Sequence, residues 1–224
     1  MPDPHPPKLS PRQRLWAYWH ALIHEHGWVR ILLTTNYHRV GQHAFRSGQL
    51  PPWTLVKHIR RDGLRTVVNL RGPVDTPTLA LERELCAREG VKHIDLRFFS
   101  RDTHRPEVLL EARRLLAEIE YPALFHCMSG ADRAGFMATL YLHWMENIPL
   151  EDTRQLRLWP FWHYRHARTG ILDHFFERYL AARCKSAISL EDWIRTEYSQ
   201  DDIRSSFRSN RWFNVLVDRV LRRE

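Results

Sequence analysis

The residues best equipped for chemistry lie in one short run, His126-Cys127-Met128-Ser129-Gly130-Ala131-Asp132-Arg133-Ala134-Gly135. Ala123–His126 reads as a strand before it, and Met137, Leu140, Tyr141 and Trp144 recur at helical spacing after it. The run is therefore a loop from strand to helix. Such a loop aims several backbone N–H groups and a helix N-terminus at one point, which makes an anion site. The same field stabilises a thiolate, so Cys127 is the expected nucleophile. Arg133, at the far end, offers a planar fork for two phosphate oxygens. The intervening Met128, Ser129, Gly130, Ala131 and Asp132 supply the phosphate-binding backbone. With a proton donor for the leaving group, this is the equipment phosphoryl transfer needs.

The elements that must position this loop follow an alternating pattern. Tyr37–Val40 and His43–Arg46 read as short strands around Gly41, and Pro52 to Asp62 as a helix with Leu55, Val56 and Ile59 on its apolar side, stopped by Gly63. Thr66–Leu70 is a β-branched run and hence a buried strand. A helix follows over Thr76 to Glu89, closed by Gly90, with Leu81, Leu85 and Cys86 inward and Glu82, Arg83 and Glu84 nearer solvent. Val91–Phe99 and Ala123–His126 complete the strands, separated by a helix over Pro106–Glu118. Strands alternating with helices imply one α/β domain: a central, mostly parallel sheet with helices on both faces, binding ligands at the carboxyl ends of its strands.

The loop resembles the signature of the protein tyrosine phosphatase superfamily, His-Cys, five residues, Arg, and most closely its dual-specificity branch, which includes lipid phosphatases. Phe45-Arg46-Ser47-Gly48-Gln49 and Asn69-Leu70-Arg71-Gly72 are similar to segments of bacterial members. The likeness covers roughly residues 37 to 182. It implies a phosphatase-like fold and hydrolysis of a phosphate monoester through a phosphocysteine, without cofactor or metal, on phosphotyrosine-like or lipid-linked substrates. It also implies an aspartate general acid, for which there are two candidates. Asp102 lies in the loop before Pro106, where it could instead cap the helix; Asp132 lies in the phosphate loop and is favoured, since a carboxyl near the leaving oxygen is what acid catalysis requires. Trp162 to Gly170 resembles a stretch that follows the signature helix in bacterial relatives, offering His163, Arg165 and Arg168 as substrate contacts. Two residues depart from the pattern: Ala134 stands where many members carry Ser or Thr, and Met128 where many lipid phosphatases carry Lys. A phosphate-binding pseudo-phosphatase and a rhodanese-like sulfurtransferase are the alternatives.

Composition sets the remaining bounds. The chain has 224 residues, 43% hydrophobic and 27% charged, which is a globular balance, and its formal net charge of +8 favours anionic partners. Among these a phosphorylated peptide, lipid or small molecule fits best, since no nucleic-acid motif appears. Three cysteines widely spaced in sequence argue for a reducing, cytoplasmic setting. Residues 1–12 read as a flexible tail, 13–186 as the catalytic domain with an N-terminal helix over Leu15 to His26, and 187–224 as a helical extension. Within that extension Ser189 and Ser199 begin two capped helices. Phe213, Leu216, Val217, Val220 and Leu221 then share one face, with arginines largely outside it, so the last helix either packs on the domain or lies peripherally on an acidic inner-membrane surface. His20, His24 and His26 lack an evident further ligand for a metal centre.

Overall fold

The structure, a computed structural model, describes residues 9–20 and 35–208. His24, His26 and the apolar face Phe213–Leu221 lie outside the described residues, as does the side chain of His20. The chain divides into two compact units. The first contains the described residues up to Arg97 together with Ile119–Gly130, and the second Phe98–Glu118 together with the described residues from Ala131 onward.

The first unit carries a five-stranded sheet in the order β1-β2-β5-β3-β4. Its strands are β1 (His38–Val40), β2 (Ala44–Ser47), β3 (Thr66–Asn69), β4 (Lys92–Asp95) and β5 (Ala123–His126). The β1–β2 hairpin is antiparallel and every other pairing is parallel, giving the mostly parallel α/β sheet that the pattern predicts. β5 and β3 are buried along their whole length, as central parallel strands must be. β4 stops at Asp95 instead of running on to Phe99. Its neighbour β3 ends in register there, Asn69 beside Asp95, so further residues have no ladder to join; only the isolated bridge Arg71–Arg97 continues.

Among the described residues three helices belong to this unit: α1 (Pro11–His20), α2 (Pro52–Asp62) and α3 (Pro77–Arg88). α1 takes in residues 11 and 12, which the sequence assigns to the tail. Ser10 and Gln13 explain the early start: the Gln13 amide donates to Ser10 Oγ and the Ser10 amide to Gln13 Oε1, a capping box with Pro11 at the first helical position. Leu50, Leu55, Ile59, Leu64, Val67, Cys86, Val91 and Leu124 form the core between helices and sheet.

The second unit is helical: α4 (Pro106–Glu118), α5 (Arg133–Met145), α6 (Leu150–Thr153), α7 (Ile171–Ser186), α8 (Leu190–Thr196) and α9 (Gln200–Ser206), with a 3₁₀ turn at Arg168–Gly170. α5 is buried continuously from Ala134 to Leu142. Ser189 and Ser199 cap α8 and α9 by accepting the Asp192 and Asp202 amides, as their spacing predicts. Both short helices belong to the same unit as α4, α5 and α7. Phe98, Phe136, Phe175, Trp193 and Tyr198 pack edge-on or tilted in an aromatic core. Among the described residues no helix is long and apolar enough to cross a membrane.

The Tyr198 hydroxyl ties this aromatic core to the loop before α4, meeting Thr103 Oγ1 at 2.7 Å and donating to the His104 carbonyl at 2.5 Å. Tyr198→Phe strips two buried groups of their partner, and urea unfolding should show a loss of about 1–3 kcal/mol.

Candidate active site

β5 ends the central strand at His126, and the chain turns at once into the loop. The Cys127 amide is still tied to the sheet, donating to the Ser47 carbonyl at 3.3 Å. The next three carbonyls are then held from outside by one upstream segment. Met128 O accepts from the Gln49 amide (3.2 Å), Ser129 O from Asn36 Nδ2 (3.1 Å) and Gly130 O from Arg46 Nη2 (2.7 Å). Within a planar trans peptide the N–H points opposite to its C=O. Fixing these carbonyls outward therefore turns the amides of Ser129, Gly130 and Ala131 the other way. The Gly130 amide donates to Cys127 Sγ at 3.3 Å, so at least this N–H looks inward onto the sulfur.

Close backbone contact makes the arrangement possible. Gly130 has φ +73°, and a Cβ there would fall 2.4 Å from the Gly48 nitrogen and 2.6 Å from the Ser47 carbonyl carbon. Arg46 is completely buried and donates from Nη2 to the loop at the Gly130 carbonyl. Arg71 donates to Gln49 Oε1 at 2.6 Å.

Beneath the loop lies a charged cluster that the helical pattern misjudges. Glu82, expected near solvent, is buried on α3. Its Oε1 lies 2.8 Å from His126 Nε2 and 3.0 Å from His93 Nε2, while Oε2 accepts from Gln49 Nε2 at 2.7 Å. The His126 ring is near enough for an ion pair, but both its nitrogens fall outside hydrogen-bond geometry. Burial pushes the Glu82 carboxyl up; the His126 charge and the His126 and His93 contacts override this and hold it well below the usual carboxylate range. Glu82, His93 and His126 are also the group of potential metal ligands among the described residues. Their separations, however, are hydrogen-bond distances. Ligands sharing one ion at bond lengths of about 2.0–2.1 Å sit roughly 3.3 Å apart, so the cluster reads as a charged network.

Ala131, Asp132 and Arg133 belong to the second unit. Asp132 stands just before α5 and Arg133 opens it. Arg133 Nε is buried and, among the described residues, has no acceptor. Asp132 is buried and lies 2.7 Å from His163 Nδ1, and the other ring nitrogen, Nε2, lies 2.6 Å from Asp173 Oδ2 on α7. His163 is thus enclosed between two carboxylates, with no ring nitrogen left for the direct substrate contact that its position suggests. Burial alone pushes its pKa down, but hydrogen bonds to Asp132 and Asp173 and their charges dominate and raise it to about 9. Arg165 pairs with Glu177 on α7, and Arg168 is exposed at the 3₁₀ turn. Asp102 accepts two hydrogen bonds from Arg204 of α9, at 2.8 and 2.5 Å, and one from the Thr103 amide. The Arg204 guanidinium holds its carboxyl below the usual range. It does not cap the helix after Pro106.

Sequence reasoning missed Asn36, Gln49, Glu82, His93 and Asp173. Gln49 closes a segment singled out above, which was its signal. Asp173 is ten residues from His163 with no periodic relation to it, and nothing local announces the pair.

Gly130→Ala puts a side chain into backbone at a positive φ. It should lower unfolding free energy by at least about 1–3 kcal/mol and weaken binding of vanadate, read by urea titration and calorimetry. For His163, the folded pKa of about 9 lies above the unfolded value of about 6.5. The stability it contributes is complete below the unfolded value and lost as pH rises through the folded one. The melting temperature should therefore fall between pH values of about 7 and 9, and His163→Gln should flatten that slope.

The family model for the tyrosine phosphatase family matches residues 32–147. No curated protein sequence matches the chain. Among solved structures, TpbA of P. aeruginosa is similar at 21% identity over 77% of this chain and 90% of that one, with a TM-score of 0.49. A second TpbA structure, in complex with pTyr, matches at 26% identity over 53% and 69%, with a TM-score of 0.43. The core catalytic domain of the PP-IP phosphatase SIW14 of S. cerevisiae matches at 18% over 78% and 92%, with a TM-score of 0.46. On the family match, which spans half of the sequence and contains the whole loop from His126 to Arg133, this chain belongs to the tyrosine phosphatase family and is a phosphatase.

Proposed function

We propose that the protein hydrolyses a phosphate monoester in two steps, with Cys127 as nucleophile and Arg133 as the clamp on the phosphoryl oxygens. The observation that carries this reading is the loop itself. Three successive carbonyls are restrained outward, an amide points at the sulfur, and a buried guanidinium nitrogen of Arg133 has no acceptor among the described residues. A phosphoryl group with three equatorial oxygens answers those donors. In the first step the sulfur attacks phosphorus and the ester P–O bond breaks; in the second, water displaces the sulfur and releases phosphate.

For the proton donor, Asp132 is the better supported of the two aspartates. Asp102 is engaged by Arg204 and favoured as the anion, and a guanidinium has no proton to pass to it, whereas an imidazolium does. Asp132 adjoins Arg133 in the loop and contacts a proton-bearing ring. The substrate we favour is a phosphotyrosine-like or lipid-linked phosphate: the pTyr complex of TpbA makes an aryl ester the natural first choice, and the chain's net positive charge favours anionic head groups.

Turnover of a small aryl phosphate tests the assignment. Cys127→Ser should lose at least about 10³-fold in kcat, and Asp132→Asn about 10²–10⁴-fold on a substrate with a poor leaving group. Asp102→Asn should stay within about threefold of the parent. Tight binding of the aryl phosphate without turnover would instead favour a pseudo-phosphatase, consistent with the hydroxyl missing at Ala134. Sulfur transfer from thiosulfate with no ester hydrolysis would favour the sulfurtransferase.

A further inference from the structure

The Asp132–His163–Asp173 chain asks for an explanation that packing does not provide. Its three side chains come from three places in the second unit: the residue before α5, the segment before the 3₁₀ turn, and the first turn of α7. The His163 side chain is fully enclosed, and Asp132 and Asp173 are the titratable groups that face it. A neutral imidazole has one N–H and satisfies one carboxylate; only the imidazolium donates to both. Replacing such an assembly with apolar side chains generally costs little or even stabilises a fold, so retaining it in a core is weakly explained by stability. Its one outlet toward chemistry is Asp132, beside Arg133.

We infer that His163, oriented by Asp173, is the proton reservoir for the leaving group, with Asp132 as the group that hands the proton on. The inference rests on the phosphatase reading. Nδ1 of His163 passes its proton to the Asp132 carboxylate, and as the P–O bond breaks the leaving oxygen takes that proton equivalent from Asp132, which ends the step as a carboxylate again. The ring becomes neutral while its Nε2–H stays on Asp173. In the second step the attacking water gives a proton to Asp132, which returns it to Nδ1 as the S–P bond breaks. Water is consumed, alcohol and phosphate leave, and the imidazolium is restored. Asp132 is the catalytic donor in this scheme; His163 and Asp173 act through it.

The test compares phenyl phosphate, whose leaving group needs a proton, with 2,4-dinitrophenyl phosphate, whose leaving group does not. For the parent protein, kcat/KM on phenyl phosphate should fall above about pH 9, where the ring loses its charge. Asp173→Asn should bring that falling limb down by at least about one pH unit and cost about 10²-fold on phenyl phosphate, with less than about a tenth of that loss on the dinitrophenyl ester. Asp173→Glu should recover most of the lost rate. An equal loss on both esters, or a limb that stays where it was, would overturn the relay and leave a structural role. If Asp173→Asn does not fold, Asp173→Glu with His163→Gln makes the same comparison. Absence of any Cys127-dependent turnover by the parent protein marks the other failure, that of the phosphatase reading, and the relay falls with it.

Discussion

Peptide planarity is the constraint through which this protein builds its loop. A side chain cannot easily reach inward and turn an amide toward an anion without occupying the anion's place. Restraining the carbonyl on the other side achieves the same rotation from outside. The segment from Asn36 to Gln49 does this three times in succession, with an amide, a carboxamide and a guanidinium. The β1–β2 hairpin and the parallel pairing of β2 with β5 bring that segment alongside the loop, and Gly48 and Gly130 let the backbones touch. The sheet thus shapes the loop directly. Its central strand delivers Cys127, and the neighbouring strand delivers groups that shape the loop beyond it.

Each unit also keeps a buried ionic centre near its part of the loop, and the two are opposite in kind. In the first, a carboxylate is the centre: Glu82 lies at ion-pair distance from His126, contacts His93 and accepts from Gln49. In the second, a ring that carries positive charge is held between the carboxylates of Asp132 and Asp173. In both cases desolvation opposes the charged form and specific partners outweigh it. Buried ionic groups are costly unless their geometry is fully specified. Their presence in both units indicates that polar order near the loop takes precedence over the more stabilising apolar alternative.

Much of this was legible in the residues. The strand Ala123–His126 and the helices Pro52–Asp62 and Pro106–Glu118 emerge with the bounds that periodicity and punctuation assign them, because their signals are local: a short apolar run, a proline at the start, a left-handed glycine at the end. The loop's place between a strand and a helix was legible because its residues are contiguous. Glu82 was not, since its neighbours Arg83 and Glu84 pull that side of α3 toward solvent and the histidines that justify its burial come from two different strands. The same holds for Asp173, and for Arg46, whose partner is a backbone carbonyl 84 residues away. β4 was read too long because a strand's length is set by its neighbour and not by its own composition.

The backbone-on-backbone contact of Gly130 with Ser47 and Gly48 also decides where this enzyme is free to evolve. Between Cys127 and Arg133 only Met128 and Ser129 reach partial exposure; Gly130, Ala131 and Asp132 are closed in. A mutational library aimed at new ester preferences has two open positions in the loop and a sealed remainder, so diversity in recognition must be recruited from other surfaces while the cradle stays the same.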